Sequence, residues 1–190
     1  MRYFRLERKH VDVGPILAEL EQHPEAWSAQ SGRQKIAVQR EAVSIPIRGL
    51  RKSKIQGRKR RDVHESRYTT LSKYFPAVVS FILQTASESD AEIARAKIVN
   101  LPPGRQVYPH VDRGEYYAVR DRYHLVLSSV GSLMRAGDEE VRMKTGELWW
   151  FDNKAEHEAV NDSEQDRIHL IFDLEPRRVE GSDQKRIDVG

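Results

Sequence analysis

From residue 91 onward the chain alternates apolar and polar positions in short runs separated by turn-forming residues, and a period of two predicts strands. Eight strands are predicted, over 93–101, 106–112, 122–130, 132–136, 140–144, 147–151, 157–161 and 167–174. The breaks are Pro102-Pro103-Gly104, Arg113-Gly114, Gly131, Gly137-Asp138, Thr145-Gly146, Asp152-Asn153 and Asp162-Ser163. These residues favour turns because they fix φ, tolerate positive φ or bond their own backbone. Before residue 91 the pattern changes. Val78, Val79, Ile82 and Leu83 recur at helical spacing, which predicts a helix over 70–86 with Pro76 in a first turn. A shorter helix is predicted from a cap at Asp12 through Ile16, Leu17 and Leu20 to His23-Pro24. Two more strands are predicted over 35–39 and 42–47, the second at a sheet edge because Pro46 cannot donate to a ladder. The expected fold is mainly β: a double-stranded β-helix (jelly roll, cupin-like) with a few N-terminal helices packed outside. One domain is expected over 1–176, with the β-helix core at about 91–174 and a polar tail over 177–190.

Composition narrows the chemistry. The chain has 190 residues, 38% of them hydrophobic, enough for one core and too few for two. The mainly apolar stretches 77–83, 125–127 and 168–172 fall well short of the roughly 20 residues that span a bilayer, so no membrane segment is expected. The first residues mix charge with apolar side chains and lack the continuous run of a secretory signal, which favours the cytoplasm. There is no cysteine, so disulfides, thiolate zinc, iron–sulfur clusters and thiol nucleophiles are excluded, and any metal must rest on His, Asp or Glu. The net charge is only +3, yet eight of the cations between Arg48 and Arg61 fall in one stretch. It reads as a basic loop that is solvated or meets an acidic partner; with no aromatic inside it, a base-stacking nucleic-acid platform is disfavoured. The polar segment 62–69 is a candidate substrate lid or an ordinary loop.

The period of two puts His110 and Asp112 on one face of one strand. By itself a His-x-Asp pair is more often a surface hydrogen-bonding pair than a metal site. His157 opens the seventh strand, and in a jelly roll the second and seventh strands can lie side by side. Two imidazoles and one carboxylate on one face of an octahedron leave three positions open, the arrangement used by non-haem Fe(II) oxygenases. Arg167, at the start of the last strand, adds what a simple metal binder does not need: a planar fork matched to the distal carboxylate of a 2-oxo acid. It shares a face with His169, Ile171 and Asp173. Arg122 and His124 share a face of the third strand and are candidates for holding co-substrate or substrate. Of Trp149 and Trp150, one faces the barrel and the other packs under a helix; Trp150 is taken as a candidate substrate contact, as is the amide of Asn161. Two other readings stand beside this one, a non-catalytic cupin-like metal- or ligand-binding module and a metal-dependent isomerase or hydrolase on the same barrel.

Five segments in order, Leu101 to Asp112, Arg122 to Leu127, Gly146 to Asn153, Glu156 to Asn161 and Arg167 to Leu174, resemble the aspartyl/asparaginyl β-hydroxylase family of 2-oxoglutarate oxygenases, which includes bacterial free-proline hydroxylases. The resemblance implies Fe(II), 2-oxoglutarate and O2, with His110 and His157 as iron ligands. It implies that Arg167 binds the distal carboxylate of 2-oxoglutarate, with Arg122 and His124 beside its iron-binding end or the substrate. The family's animal peptide hydroxylase has glycine where this chain has Asp112, so in that respect the sequence resembles the bacterial amino-acid hydroxylases. It leaves no room after Arg177 for the additional C-terminal domain that some of those carry. The implied reaction is hydroxylation of an unactivated C–H bond of an amino acid, free or within a peptide, with release of succinate and carbon dioxide.

Overall fold

The computed structural model describes residues 1–29, 35–50 and 63–177. The basic stretch from residue 51 onward and the tail from 178 therefore lie outside the described residues. Eleven strands and three α-helices occur among the described residues. In chain order they are β1 (Phe4–Arg8), α1 (Gly14–Gln22), β2 (Val43–Gly49), β3 (Arg67–Tyr68), α2 (Pro76–Glu88), β4 (Ala91–Leu101), β5 (Gln106–His110), α3 (Glu115–Ala118), β6 (Asp121–Ser128), β7 (Val130–Ala136), β8 (Glu139–Lys144), β9 (Leu148–Phe151), β10 (His157–Val160) and β11 (Arg167–Pro176).

The strands form two antiparallel sheets, one in the order β1-β9-β6-β11-β4-β2-β3 and one in the order β5-β10-β7-β8. The eight predicted strands of the C-terminal half, β4 to β11, are divided four to each sheet, which is the wound-up sandwich of a double-stranded β-helix. Alternation sorts their side chains. In β11, Leu170, Phe172 and Leu174 turn outward into a core shared with α1 and α2, together with Ile45 and Ile47 of β2, Ile98 of β4 and Leu125 of β6. The opposite parity faces the smaller sheet, where Phe4, Val126, Met134 and Phe151 make one apolar cluster and Val99, Leu101, Val107 and Ile171 contribute to another.

Three departures from expectation have local causes. The predicted strand over 35–39 is a 3₁₀ turn at Ala37–Gln39, closed by local bonds from Gln39 N to Ile36 O and from Ala42 N to Gln39 O. The helix expected over 70–86 is split: a 3₁₀ turn, Thr70–Tyr74, precedes α2, because Pro76 drives Phe75 out of the helical region (φ −128°, ψ 55°) and then serves as the first helical residue. The strand β1, which the sequence reading did not include, pairs antiparallel with β9, Phe4 opposite Phe151 and Leu6 opposite Trp149. Asp12 does act at the start of α1, accepting a bond from the Gly14 N–H at 2.9 Å. Pro46 lies opposite Lys97 of β4, but β2 is not the edge strand expected: the two-residue β3 lies outside it, pairing at Arg48 and Gly49, and Thr69 Oγ1 donates to Pro46 O at 2.6 Å, so the side where a proline cannot donate is met by a partner that donates instead.

Candidate metal centre

The expected neighbours meet. β5 and β10 pair antiparallel with His110 directly opposite His157, and the two imidazole centroids lie 4.3 Å apart. Asp112 follows two residues after His110, just beyond the strand, and one donor atom from each of His110, Asp112 and His157 lies within 4.8 Å of the other two. Each imidazole is oriented by the chain that carries it. His110 Nδ1 is 2.7 Å from Tyr108 O and His157 Nδ1 is 3.0 Å from Ala155 O. A carbonyl only accepts, so both Nδ1 atoms carry the hydrogen and both Nε2 lone pairs are left for a cation.

Asp112 is held from three sides. Its backbone N–H donates to Asn153 O at 3.1 Å, and Asn153 Nδ2 donates to its Oδ2 at 2.9 Å. Arg122 forms an ion pair with the same oxygen and also reaches Asp173 at 2.7 and 3.1 Å. Burial by itself raises the Asp112 carboxyl, but the Arg122 charge and the Asn153 hydrogen bond oppose it, and the group lies below the usual carboxylate range. Burial pushes the His157 imidazole down to about 4, against the pull of the Ala155 carbonyl. Two imidazoles with their Nε2 atoms turned from the backbone carbonyls and an ionised carboxylate, converging on one point, fit a divalent first-row metal; this donor set suits iron.

The cavity beside the triad is lined by His110, His157, Arg122, His124, Phe151 and Arg167, among others. Arg167 opens β11 and is 3% exposed; its Nη2 lies 3.8 Å from the Met134 sulfur. His124 is turned toward His169, their Nδ1 atoms 3.2 Å apart, and packs edge-on against Phe151. Arg122 lines the cavity, but its guanidinium is engaged by Asp112 and Asp173 and so acts directly on a member of the triad.

Two candidates are not brought to the centre. Trp150 points to the outer face, where its Nε1 donates to Asp121 at 3.0 Å and its ring lies under Arg5; in β9 the inward parity belongs to Trp149 and Phe151. Asn161 is fully buried in a turn, its amide donating to Leu101 O and Gln165 O at 2.8 and 2.7 Å while its Oδ1 accepts from Ser163, which leaves nothing to offer a substrate. Of the proposed lid, residues 63–69 are described: β3 lies on the edge of the larger sheet, and His64 Nδ1 is 2.9 Å from the Arg120 guanidinium. Asn153, read from sequence as a turn residue, is the missed partner of Asp112. A spacing of 41 residues leaves no local signal for that contact.

The sequence profile described as aspartyl/asparaginyl beta-hydroxylase matches residues 49–176, a span that contains the triad, Arg122, His124 and Arg167. The chain belongs to this family. As a member of the aspartyl/asparaginyl β-hydroxylases it is an oxygenase-type hydroxylase by family. No curated protein sequence matches the chain. Solved structures share its fold. HygX from Streptomyces hygroscopicus, solved with nickel and 2-oxoglutarate bound, superposes with a TM-score of 0.59 at 10% identity, covering 92% of this chain and 83% of that one. A Pseudomonas putida prolyl-4-hydroxylase gives 0.54 at 15% identity over 94% and 95% of the two chains. A 2OG-Fe(II) oxygenase family oxidoreductase from Burkholderia pseudomallei gives 0.53 at 10% identity over 70% and 67%. Among the described residues no helix is long and apolar enough to cross a membrane.

Proposed function

We propose that the protein is an Fe(II)- and 2-oxoglutarate-dependent dioxygenase that hydroxylates an unactivated C–H bond of an amino acid, free or within a peptide, releasing succinate and carbon dioxide. The observation that carries the reading is the conjunction of a His110–Asp112–His157 donor set with a buried arginine, Arg167, which lines the same cavity as the two histidines. Iron held by His110, Asp112 and His157 supplies the activation of dioxygen, with 2-oxoglutarate as the reductant. The chain's own residues do the rest. The Tyr108 and Ala155 carbonyls fix the imidazole tautomers, while Arg122 and Asn153 keep Asp112 ionised and aimed. Arg167 receives the distal carboxylate of the co-substrate, and the apolar wall of Phe151, Val107 and Ile171 limits water.

A second hollow shares Lys97, Arg122 and Ile171 with this cavity and continues along the inner face of β2 and β4, past Ser44, Arg48, Arg95 and Tyr117. Arg48 donates to the carbonyls of Ile93, Ala94 and Ser66; Arg95 lies 3.7 Å over the Tyr116 ring and donates to Val63 O. Among the described residues the hydrogen-bond partners of both guanidiniums are neutral, which supports a substrate that brings a carboxylate.

The test uses anaerobic, Fe(II)-loaded protein titrated with 2-oxoglutarate. A visible absorption band is expected because a 2-oxo acid chelates iron directly. Removing one side of a buried ion pair costs about 3–5 kcal/mol, so Arg167→Ala is expected to raise the apparent constant for 2-oxoglutarate at least about a hundredfold while iron still binds. Pyruvate, which lacks the distal carboxylate, is expected to be poor for both proteins alike. Normal use of 2-oxoglutarate by Arg167→Ala would overturn the assignment.

A further inference from the structure

His124 and His169 form a buried imidazole pair on neighbouring strands, 4% and 0% exposed, with rings nearly perpendicular and Nδ1 atoms 3.2 Å apart. Burial pushes both well below the usual histidine range; the neighbouring imidazole, Arg167 and Arg122 push His124 further in that direction, and Arg167 does the same to His169. Both rings are thus neutral. A neutral imidazole carries a single hydrogen, so a contact between two Nδ1 atoms needs one ring to be the Nδ1–H form and the other the Nε2–H form. The two tautomers are locked to each other.

The surroundings choose between the two arrangements. Among the described residues His169 Nε2 is buried and has no hydrogen-bond partner. Were His124 the donor, His169 would carry its hydrogen at that sealed nitrogen, and orphaned buried N–H groups are rarer in proteins than under-used acceptors. With His169 as donor, its sealed nitrogen is a bare lone pair, and the hydrogen of His124 sits on Nε2. His124 lines the cavity. The first arrangement turns a lone pair toward the cavity, which repels a carboxylate; the second turns an N–H toward it, which binds one.

We infer that His169 is a positioning residue: it donates Nδ1–H to His124 and thereby fixes His124 as a neutral Nε2–H donor toward the acid co-substrate. The inference rests on reading this cavity as the 2-oxo acid site. Its specificity consequence is that the ligand atom met by His124 is an acceptor, a carboxylate or keto oxygen, rather than an amine or hydroxyl hydrogen.

Two measurements test it. Long-range 1H–15N correlation spectra of the metal-free, 15N-histidine-labelled protein near neutral pH are expected to show His124 as the Nε2–H form and His169 as the Nδ1–H form. The reverse pattern overturns the inference, whether or not 2-oxoglutarate binds, so the two readings fail separately. The second measurement is 2-oxoglutarate titration of anaerobic Fe(II) protein carrying His169→Phe or His169→Asn. Phenylalanine keeps most of the volume and loses the donor; asparagine loses volume but can donate from the position of Nδ1. A donor role predicts about tenfold weaker 2-oxoglutarate binding for His169→Phe and a smaller loss for His169→Asn, with iron bound by both. A packing role predicts the opposite order, and that order would refute the assignment. Should either variant fail to fold, the tautomer pattern of the wild type decides alone.

Discussion

The two faces of the larger sheet are made from the same strands and could hardly differ more. On the outer face, Tyr123, Leu125, Leu170 and Phe172 pack into an apolar core with α1 and α2. On the inner face the same two strands, β6 and β11, bury Arg122, His124, Arg167, His169 and Asp173. Burying ionisable groups is costly unless they are paired or kept neutral, and the inner face does both: Arg122 is paired with Asp112 and Asp173, and the imidazoles are left uncharged. The outer face is what holds a fold together. The inner face spends part of the core on chemistry.

The sharpest way to break the comparison is to remove one member of the triad. His157→Ala is expected to abolish turnover while leaving the fold in place, because the outer core is untouched. Asp112→Ala should weaken iron and nearly abolish activity, and it strands Arg122 with a single carboxylate partner. Iron content and succinate release measure both; wild-type rates in both variants would mean that the triad is misassigned.

The converse change comes next. Phe172 is fully buried, stacked on Tyr123 and edge-on to Phe81. Phe172→Ala is expected to cost about 3–5 kcal/mol of stability, read by urea unfolding, with iron affinity per folded molecule unchanged. A loss confined to iron or 2-oxoglutarate binding, with stability intact, would show that the two faces are not separable.

The most gradual expected effect is a pH dependence. Burial, helped by Arg167 beside both rings and by His169, Arg122 and His157 around His124, holds the folded-state values of His124 and His169 well below 6.5. As pH falls through about 6.5 the unfolded chain takes up these protons and the native state does not, so stability present above that pH is lost on acidification. The slope approaches about 1.4 kcal/mol per pH unit for each such histidine. Urea midpoints of the metal-free protein between neutral and mildly acid pH should fall accordingly, and less steeply in His169→Asn.

Much of this was legible in the order of residues. The alternation and its turn residues delimit β4 to β11 to within a few positions, and parity alone brings Arg167, His169, Ile171 and Asp173 to one face. The pairing of His110 with His157 follows once the strands are wound as a jelly roll. Elsewhere the pattern has no purchase. Phe4 and Leu6 are too few apolar positions to announce β1, whose partner β9 is far away in sequence. Two consecutive tryptophans must face opposite ways, but only the assembled sheet decides that Trp150 is the outward one. Asn153 and Asn161 are alike as turn residues. One clamps Asp112 and the other ties backbone carbonyls, a difference made entirely by long-range neighbours.

The strand β1 also governs how the molecule behaves in company. It covers the free side of β9, whose sequence Leu148-Trp149-Trp150-Phe151 is apolar, aromatic and uncharged. The cover is fastened by Arg2 and Tyr3, whose backbone N–H groups donate to the Glu139 carboxylate, and by Arg5 lying over Trp150. An uncovered edge of that composition is a template for another chain to add a strand. Five residues remote from the cavity thus cover an edge of a kind that templates strand addition, and deleting them is expected to promote edge-to-edge aggregation.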